Sequence, residues 1–304
     1  MKILSYIFLF LLVIAIIIYL LPVNKQTFDQ LYQGDASIKK SLAEFRKIPT
    51  KELQIDDTDW TYLNTGNGPN TLLFLHGMGG AYDIWWQQIE ALKADFRIIS
   101  ITLPEVHSLA EAVHGLEAIL DREGIDKVTI IGTSMGGYIA QYFLQQHPQR
   151  LNKLVLGNTF PPNDILKAKN EGLRKKIPYI PEWIIMREFR NNVSEVVVPA
   201  SENSELVEAY LHEQYSGYMS KSQFIGRMDV VLDHFQPNFS IAQIGIPKLI
   251  IESDNDPLIT PELRKALREL YPEAYVYTFH DKGHFSYLNA SEEYTDTLRA
   301  FLLQ

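Results

Sequence analysis

The stretch IGTSMGG, residues 131–137, joins an apolar run that predicts a buried strand to a segment that predicts a helix. Ser134 at its centre is flanked, two positions away on each side, by Gly132 and Gly136. A sharp strand-to-helix turn strains the backbone of the central residue, and side chains at the flanking positions would collide. The pattern predicts a serine hydroxyl raised above the sheet, over a helix N-terminus that favours negative charge. A turn that serves packing alone is the alternative.

The composition is that of an ordinary globular protein. The chain has 304 residues, of which 46% are hydrophobic and 21% charged, enough for one large α/β domain or two small ones. The formal net charge of −9 argues against nucleic acid, and against a generally anionic surface, as a partner. The absence of cysteine excludes disulfides, thiolate metal sites and cysteine nucleophiles.

Residues 3–23 form an almost continuous apolar run in which Ser5 is the only small polar member. In a helix rising about 1.5 Å per residue, this run crosses a hydrocarbon core of ~30 Å. It is either a cleaved secretory signal or an uncleaved anchor. Because no small-x-small cleavage site ends the run, we favour an anchor over residues 1–24. Lysines flank both sides, and we place the main domain outside the cytoplasm because the one-lysine start resembles an export signal.

The rest of the chain divides into a polar segment and one large unit. Residues 25–50 are mixed and polar and predict a helical stalk. From residue 51 to residue 304, apolar strands alternate with helical patterns, which is typical of a mostly parallel sheet with helices on both faces. Two β-prone runs at its beginning predict an antiparallel start. At about residues 160–247, prolines punctuate short helical patterns, and we interpret this part as a helical insertion over the sheet.

The sequence HGMGG, residues 76–80, follows a strand predicted to neighbour the one that leads to Ser134. Its glycines free backbone N–H groups to point at a bound oxygen. The N–H groups of Met78 and Met135 are therefore candidates for an oxyanion hole, in which one donor is typically worth ~3 kcal/mol. A plain tight turn is the alternative.

A carboxylate and a histidine follow the last two predicted strands. Asp254 and Asp256 come after the strand that ends at Ile251, in the layer where a carboxylate orients a histidine. His284 follows the final strand, where a neutral imidazole takes a proton from Ser134 and returns it to the leaving group, a contribution of about 10²–10⁴. Serine, aspartate and histidine occur in the chain order that this triad requires.

Two other histidines compete for the role of base. His280 ends the last strand and is expected to be a structural or rim residue. His76 follows an apolar strand and is expected to form a hydrogen bond within its own turn. No cofactor and no metal site are predicted, because histidine and carboxylate residues do not cluster at ligand spacing.

From about residue 52 to its end, the chain resembles the α/β-hydrolase fold proteins. The motifs that carry the resemblance are HGMGG at 76–80, GTSMGG at 132–137, DP at 256–257 and GHF at 283–285. The resemblance implies that residues 160–247 form a cap over the active site. It also favours Asp256 over Asp254, because the acid of the family usually stands before such a proline. Haloalkane dehalogenase and epoxide hydrolase chemistry is excluded, since it uses an aspartate at the position of Ser134.

More narrowly, the chain resembles the maspardin-like branch, in the stretches 136–141, 156–160 and 270–274. Maspardin itself lacks the catalytic histidine and is regarded as a binding protein, whereas this chain keeps His284. Two departures from ordinary family members lie near the expected pocket. The loop at 102–107 is short and has no glycine, and Thr133 stands where a histidine is frequent. Substrate preference therefore does not transfer.

Two functions remain open. The first is a serine hydrolase of an ester, thioester or related acyl bond, in which Ser134 attacks, His284 is the base and Asp256 orients it. A perhydrolase or a C–C hydrolase would share this triad. The second is a non-catalytic, membrane-tethered binding protein. Five aromatic residues are candidates for its recognition surface, although aromatic residues in this number more often belong to a core: Trp85, Trp86, Phe160, Trp183 and Tyr218. The anchor adds the hypothesis of a lipid-like ester drawn from the bilayer.

Overall fold

The computed structural model describes residues 2–237 and 245–304, and these form a sheet of eight strands in the order β1-β2-β4-β3-β5-β6-β7-β8. Strand β2 pairs antiparallel with β1 and β4, and all other neighbours pair in parallel. The predicted mostly parallel sheet with an antiparallel start is confirmed. The strands are β1 Lys51–Ile55, β2 Thr58–Thr65, β3 Thr71–Leu75, β4 Arg97–Thr102, β5 Val128–Thr133, β6 Leu151–Gly157, β7 Lys248–Ser253 and β8 Tyr275–Phe279.

Helices cover both faces of the sheet, which is why the inner strands are buried along their whole length and mostly apolar. Every residue of β3, β5 and β7 is buried. Alternate residues of each strand enter opposite cores: Phe74 packs in the core with α4 and α14, and Leu75 in the core with α5, α6 and α12. These helices are α4 Trp86–Leu92, α5 Leu109–Arg122, α6 Met135–Gln146, α12 Pro261–Leu270 and α14 Ser291–Leu302.

Helix α1, Lys2–Tyr19, carries the apolar run, and none of its residues is buried. With 18 residues it is about 27 Å long, close to the thickness of a hydrocarbon core. By length and composition it can cross a membrane, and a signal sequence near the N-terminus would meet the same criteria.

Residues 25–50 lie on the globular body. They include two helices, α2 Phe28–Leu31 and α3 Ala36–Phe45. The side chains of Phe28 and Phe45 are buried in the same core as the cap. Arg46 forms ion pairs with Asp83 on the body and with Glu213 on the cap. The segment predicted as a stalk therefore packs against the hydrolase unit instead of holding it at a distance, because its apolar side chains find partners there.

The insertion between β6 and β7 is helical where the structure describes it, and residues 238–244 of the predicted cap lie outside the described residues. Its C-terminal part faces the site through α10 and α11, which follow two π-helical turns. The cap helices are α7 Asp164–Lys176, α8 Glu182–Asn192, α9 Val198–Ala200, α10 Glu205–Glu213 and α11 Lys221–Leu232. A short helix, α13 Ser286–Asn289, follows His284 on the opposite side of the site.

The end of α1 contacts the cap directly. The Tyr19 hydroxyl donates to the Pro178 carbonyl at 3.0 Å, and the Trp183 indole donates to the Ile18 carbonyl at 2.9 Å. The Lys221 ammonium group donates to the Tyr19 hydroxyl at 3.1 Å. The apolar helix and the cap therefore lie on the same side of the molecule.

Candidate active site

Ser134 stands at the junction of β5 and α6 with φ 52° and ψ −120°, a left-handed conformation that a non-glycine residue adopts at a cost. A Cβ atom at Gly132 would overlap the carbonyl oxygen of Gly136, and a Cβ atom at Gly136 would overlap the carbonyl oxygen of Leu75. The strained turn and its requirement for both glycines are those predicted from the motif. The Ser134 N–H donates to the Gly157 carbonyl at 2.9 Å, which fixes the turn to the neighbouring strand.

Asp256 and His284 form a buried pair. Their Oδ2 and Nδ1 atoms lie 2.8 Å apart, and both side chains are almost fully shielded from solvent. The second carboxylate oxygen accepts from the N–H groups of Leu258 and Ile259 at 2.8 and 3.0 Å. Burial acts to raise the pKa of Asp256, but His284, Asn158 and the backbone donors outweigh it and hold this pKa below its usual value. Asp256 is therefore an anion that orients the imidazole.

Asn158 completes this pair and was not singled out as a functional residue from the sequence. It follows β6 with φ 39°, a left-handed conformation that asparagine tolerates better than most residues. Its side-chain amide donates to Asp256 Oδ2 at 2.9 Å and to the Gly283 carbonyl at 3.3 Å. The available signal was its position at the carboxyl end of the strand beside β5, where site residues gather.

Asp254 pairs with a different histidine. Its Oδ2 atom lies 2.7 Å from His280 Nδ1, and its Oδ1 atom accepts from the Asp281 N–H at 3.0 Å. Both side chains lie at the surface. The hydrogen bond to Asp254 raises the pKa of His280. His280 is thus the rim residue that was expected, and the aspartate left open beside Asp256 belongs to this outer pair.

His76 is buried beneath the candidate oxyanion loop. Its Nε2 atom accepts from the Leu103 N–H at 2.9 Å, so the proton of the neutral ring is on Nδ1, which donates to the Gly77 carbonyl at 2.6 Å. Burial holds the pKa of His76 well below its usual range. The ring stays neutral and anchors its own turn, as predicted.

The loop at residues 76–80 contacts Ser134. A Cβ atom at Gly77 would lie 3.1 Å from the Ser134 Cβ atom, which is tighter than most such contacts, so the backbone passes very close to Ser134 here. The turn is closed by a hydrogen bond from the Gly80 N–H to the Gly77 carbonyl at 3.0 Å. Met78 is in this turn and Met135 is the first residue of α6, where helix geometry leaves the N–H without an intrahelical acceptor.

A cavity of about 220 Å³ lies between the sheet and the cap, and Ser134, Met78 and His284 line it. Most of its remaining wall is apolar and comes largely from the cap, with contributions from Phe160, Phe189, Val197, Leu211, Met228 and Phe285. Within the part of the chain that the structure describes, no hydrogen bond joins the Ser134 hydroxyl to His284. The structure thus brings serine and imidazole to one cavity and links the imidazole, through Nδ1, to Asp256.

The aromatic residues proposed for a recognition surface separate into different environments. Trp85 and Trp86 are fully buried in the core, so they do not form a surface, and the core alternative holds for these two. Phe160 is buried but lines the cavity. Trp183 contacts the end of α1, and Tyr218 is half exposed beside the ammonium group of Lys25. Of these residues, Tyr218 is the one that presents a large exposed surface.

The fold and the site define the class of protein. The family model of the alpha/beta hydrolase fold matches residues 70–291, and the chain belongs to this family.

Among its relatives, maspardin of Mus musculus is 24% identical over 288 residues, which cover 89% of each chain. A 2-hydroxy-6-oxononadienedioate/2-hydroxy-6-oxononatrienedioate hydrolase of Paraburkholderia phymatum is 25% identical over 80% of this chain and 90% of its own. The crystal structure of a membrane phospholipase A has the same fold, with a TM-score of 0.69 and 20% identity, over 99% of this chain and 97% of that one. The chain is thus an alpha/beta hydrolase close to maspardin, with enzymes among its relatives.

Proposed function

We propose that this protein is a serine hydrolase that cleaves an ester, thioester or related acyl bond. The observation that carries the proposal is the convergence on one cavity of a serine in a strained turn and a histidine held by a buried aspartate. Ordinary structural serines need neither the strain nor the paired imidazole.

In the proposed mechanism, the Ser134 hydroxyl attacks the acyl carbonyl carbon while His284 Nε2 accepts its proton. Asp256 holds the Nδ1–H tautomer and stabilises the imidazolium. The N–H groups of Met78 and Met135 stabilise the oxyanion of the tetrahedral intermediate. The imidazolium then protonates the leaving group. In the second half of the reaction, His284 accepts a proton from water as the water attacks the acyl carbon, and Ser134 is released with its proton restored. The Ser134–His284 hydrogen bond forms when substrate enters, since such bonds are often long in unliganded enzymes.

The cavity limits the acyl group. At about 220 Å³ it is smaller than the ~300–1,000 Å³ of pockets that enclose drug-sized ligands. Its largely apolar wall favours a short apolar acyl chain, and a larger leaving group lies outside. We therefore expect kcat/KM to peak at short acyl chains in a graded series of esters.

We also propose that α1 anchors the protein in a membrane, because its length and composition suit a membrane span. If α1 is an uncleaved anchor, the hydrogen bonds of Tyr19 and Trp183 place the cap, and with it one wall of the cavity, near the bilayer surface. We therefore propose a lipid-like ester whose short acyl group enters the cavity while its larger leaving group stays outside. We also propose that the main domain lies outside the cytoplasm. Equal activity on soluble and vesicle-borne esters of the same acyl chain would remove this preference.

The experiment is activity-based labelling of the full chain in detergent. A fluorophosphonate probe, with the modified residue mapped by mass spectrometry, should label Ser134 in the wild type and leave Ser134→Ala unlabelled. Ester hydrolysis should disappear in the same variant. A folded wild-type sample that neither reacts with the probe nor turns over any ester in the series would refute the proposal.

The second candidate function is a tethered binding protein, which the maspardin relatives favour. In that case the Ser134→Ala variant, expressed in a strain that lacks the protein, would restore the cellular phenotype as fully as the wild type does. Changes at exposed cap aromatics such as Tyr218 would abolish complementation instead.

A further inference from the structure

Arg227 reaches from the cap into the candidate oxyanion loop. It lies on α11 with only 1% of the residue exposed. Its Nη1 atom donates to the carbonyls of Met78 at 2.6 Å and Gly80 at 2.8 Å, and its Nη2 atom donates to the Leu103 carbonyl at 3.1 Å. All three oxygen acceptors are backbone carbonyls that follow β3 or β4, next to the nucleophile turn.

The charge of this guanidinium has no compensating carboxylate among the described residues. No acidic side chain there forms an ion pair with it, and its Nε atom is buried without an acceptor. Burial lowers the pKa of Arg227 to about 10, so the group stays protonated at neutral pH. Burying an unpaired ion costs several kcal/mol, and an apolar side chain would fill the same space at less cost. Stability alone therefore does not explain an arginine at this position.

The bonds determine which way the loop peptides point. In a trans peptide the C=O and N–H groups point in opposite directions. The Gly77 carbonyl is held by His76 and by the Gly80 N–H, so the Met78 N–H of the same peptide must point the other way. Arg227 holds the next carbonyl, that of Met78, and the one at Gly80. His76 and the Gly80 N–H thus hold the peptide between residues 77 and 78, and Arg227 holds two of the peptides that follow it in the same turn.

We propose that Arg227 is a positioning residue that holds the oxyanion loop in its working shape, and that the loop is correctly formed only when cap helix α11 is seated. This inference rests on the proposed hydrolase function. The seating of α11 is close: a Cβ atom at Gly226 would lie 2.6 Å from the Val106 carbonyl oxygen. The guanidinium also places a positive charge beside the loop. In this water-excluded environment, that charge helps to stabilise the developing oxyanion.

Three variants of the full chain test this inference. Arg227→Met removes all donors, and Arg227→Lys keeps the charge with fewer donors. Gln223→Leu is the matched control, because Gln223 lies one turn earlier on α11 and donates to the Leu103 carbonyl at 2.7 Å without touching Met78 or Gly80. Each is assayed for kcat and KM on a short activated ester. Each is also titrated with a trifluoromethyl ketone, which forms an oxyanion adduct with the serine, and with the methyl ketone of the same chain.

We expect Arg227→Met to lower kcat by about 10²–10³ with KM within about three-fold, the size of effect seen when an oxyanion donor is lost. Trifluoromethyl ketone affinity should fall in parallel, while methyl ketone affinity stays constant. Arg227→Lys should recover part of the loss, and Gln223→Leu should stay within about three-fold of the wild type in kcat.

Two results would overturn the inference while leaving the hydrolase proposal intact. One is a folded Arg227→Met variant with wild-type kcat. The other is an equal loss of affinity for both ketones, which would assign Arg227 to the cavity shape instead. If Arg227→Met does not fold, the ratio of the two ketone affinities in Arg227→Lys decides, because an unchanged ratio contradicts the proposal. An inactive, unlabelled wild type would instead refute the proposed function itself.

Discussion

Two aspartate–histidine pairs follow β7 and β8, and they lie in opposite environments. The side chains of Asp256 and His284 are 0% and 4% exposed, whereas those of Asp254 and His280 are 44% and 80% exposed. Their histidine–carboxylate distances are nearly equal, 2.8 and 2.7 Å. Distance therefore does not distinguish them. Burial does, because a shielded carboxylate interacts strongly with its imidazole, whereas water and salt screen the outer pair.

The largest effect on kcat should come from changing the acid of the inner pair, Asp256, with the acid of the outer pair, Asp254, as the control. Asp256→Asn should lower kcat by about 10³–10⁴, because an amide favours the wrong imidazole tautomer. Asp254→Asn should change kcat by less than about two-fold. Ester hydrolysis at pH 8 measures both. A large loss in Asp254→Asn, or wild-type activity in Asp256→Asn, would reverse the assignment of the pairs.

A second experiment tests the strained turn that carries Ser134 beside the inner pair. Gly132→Ala should destabilise the protein by about 1–3 kcal/mol, because the added Cβ atom overlaps the Gly136 backbone. Gly172→Ala is the control, since its Cβ atom would meet nothing within 4 Å inside α7 and should stabilise by about 0.5–1 kcal/mol. Urea unfolding gives both values. The same sign for both substitutions would contradict the described turn.

Asn158 belongs to the inner pair only, and its removal sharpens the comparison. Asn158→Ala should lower kcat by about ten-fold, equivalent to the loss of ~1.5 kcal/mol from a hydrogen bond to a charged group. Asn152→Ala, at the exposed start of the same strand, should leave kcat unchanged. Steady-state kinetics on one ester suffices. Equal effects at the two positions would show that Asn158 does not act through Asp256.

The smallest effect concerns stability in acid. The pKa of Asp256 in the folded protein lies below its unfolded value of about 3.9, so its ionised form stabilises the fold above that pH. This contribution is lost as pH falls through the folded pKa. The free energy of unfolding should therefore fall less steeply between about pH 5 and pH 3 in Asp256→Asn than in the wild type. Asp254→Asn should change this slope less, because its solvated carboxylate is screened.

The sequence predicted the parts of the molecule that repeat a local pattern. The glycine spacing around Ser134 was sufficient to predict the strained turn, and the apolar runs were sufficient to predict the strands, because each depends on neighbouring residues. Asn158 and Arg227 were missed, since their partners lie 98 and about 150 residues away and neither has a local signature. The packing of residues 25–50 was missed for the same reason, because a mixed polar segment does not reveal which of its apolar side chains will find a core.

The central claim is that the inner histidine, and not the outer one, activates Ser134. The most direct measurement is the rate of fluorophosphonate labelling in His284→Gln and His280→Gln. We predict that His284→Gln labels at least about 10³-fold more slowly than the wild type, and that His280→Gln labels at the wild-type rate. Wild-type labelling of a folded His284→Gln variant would contradict the account.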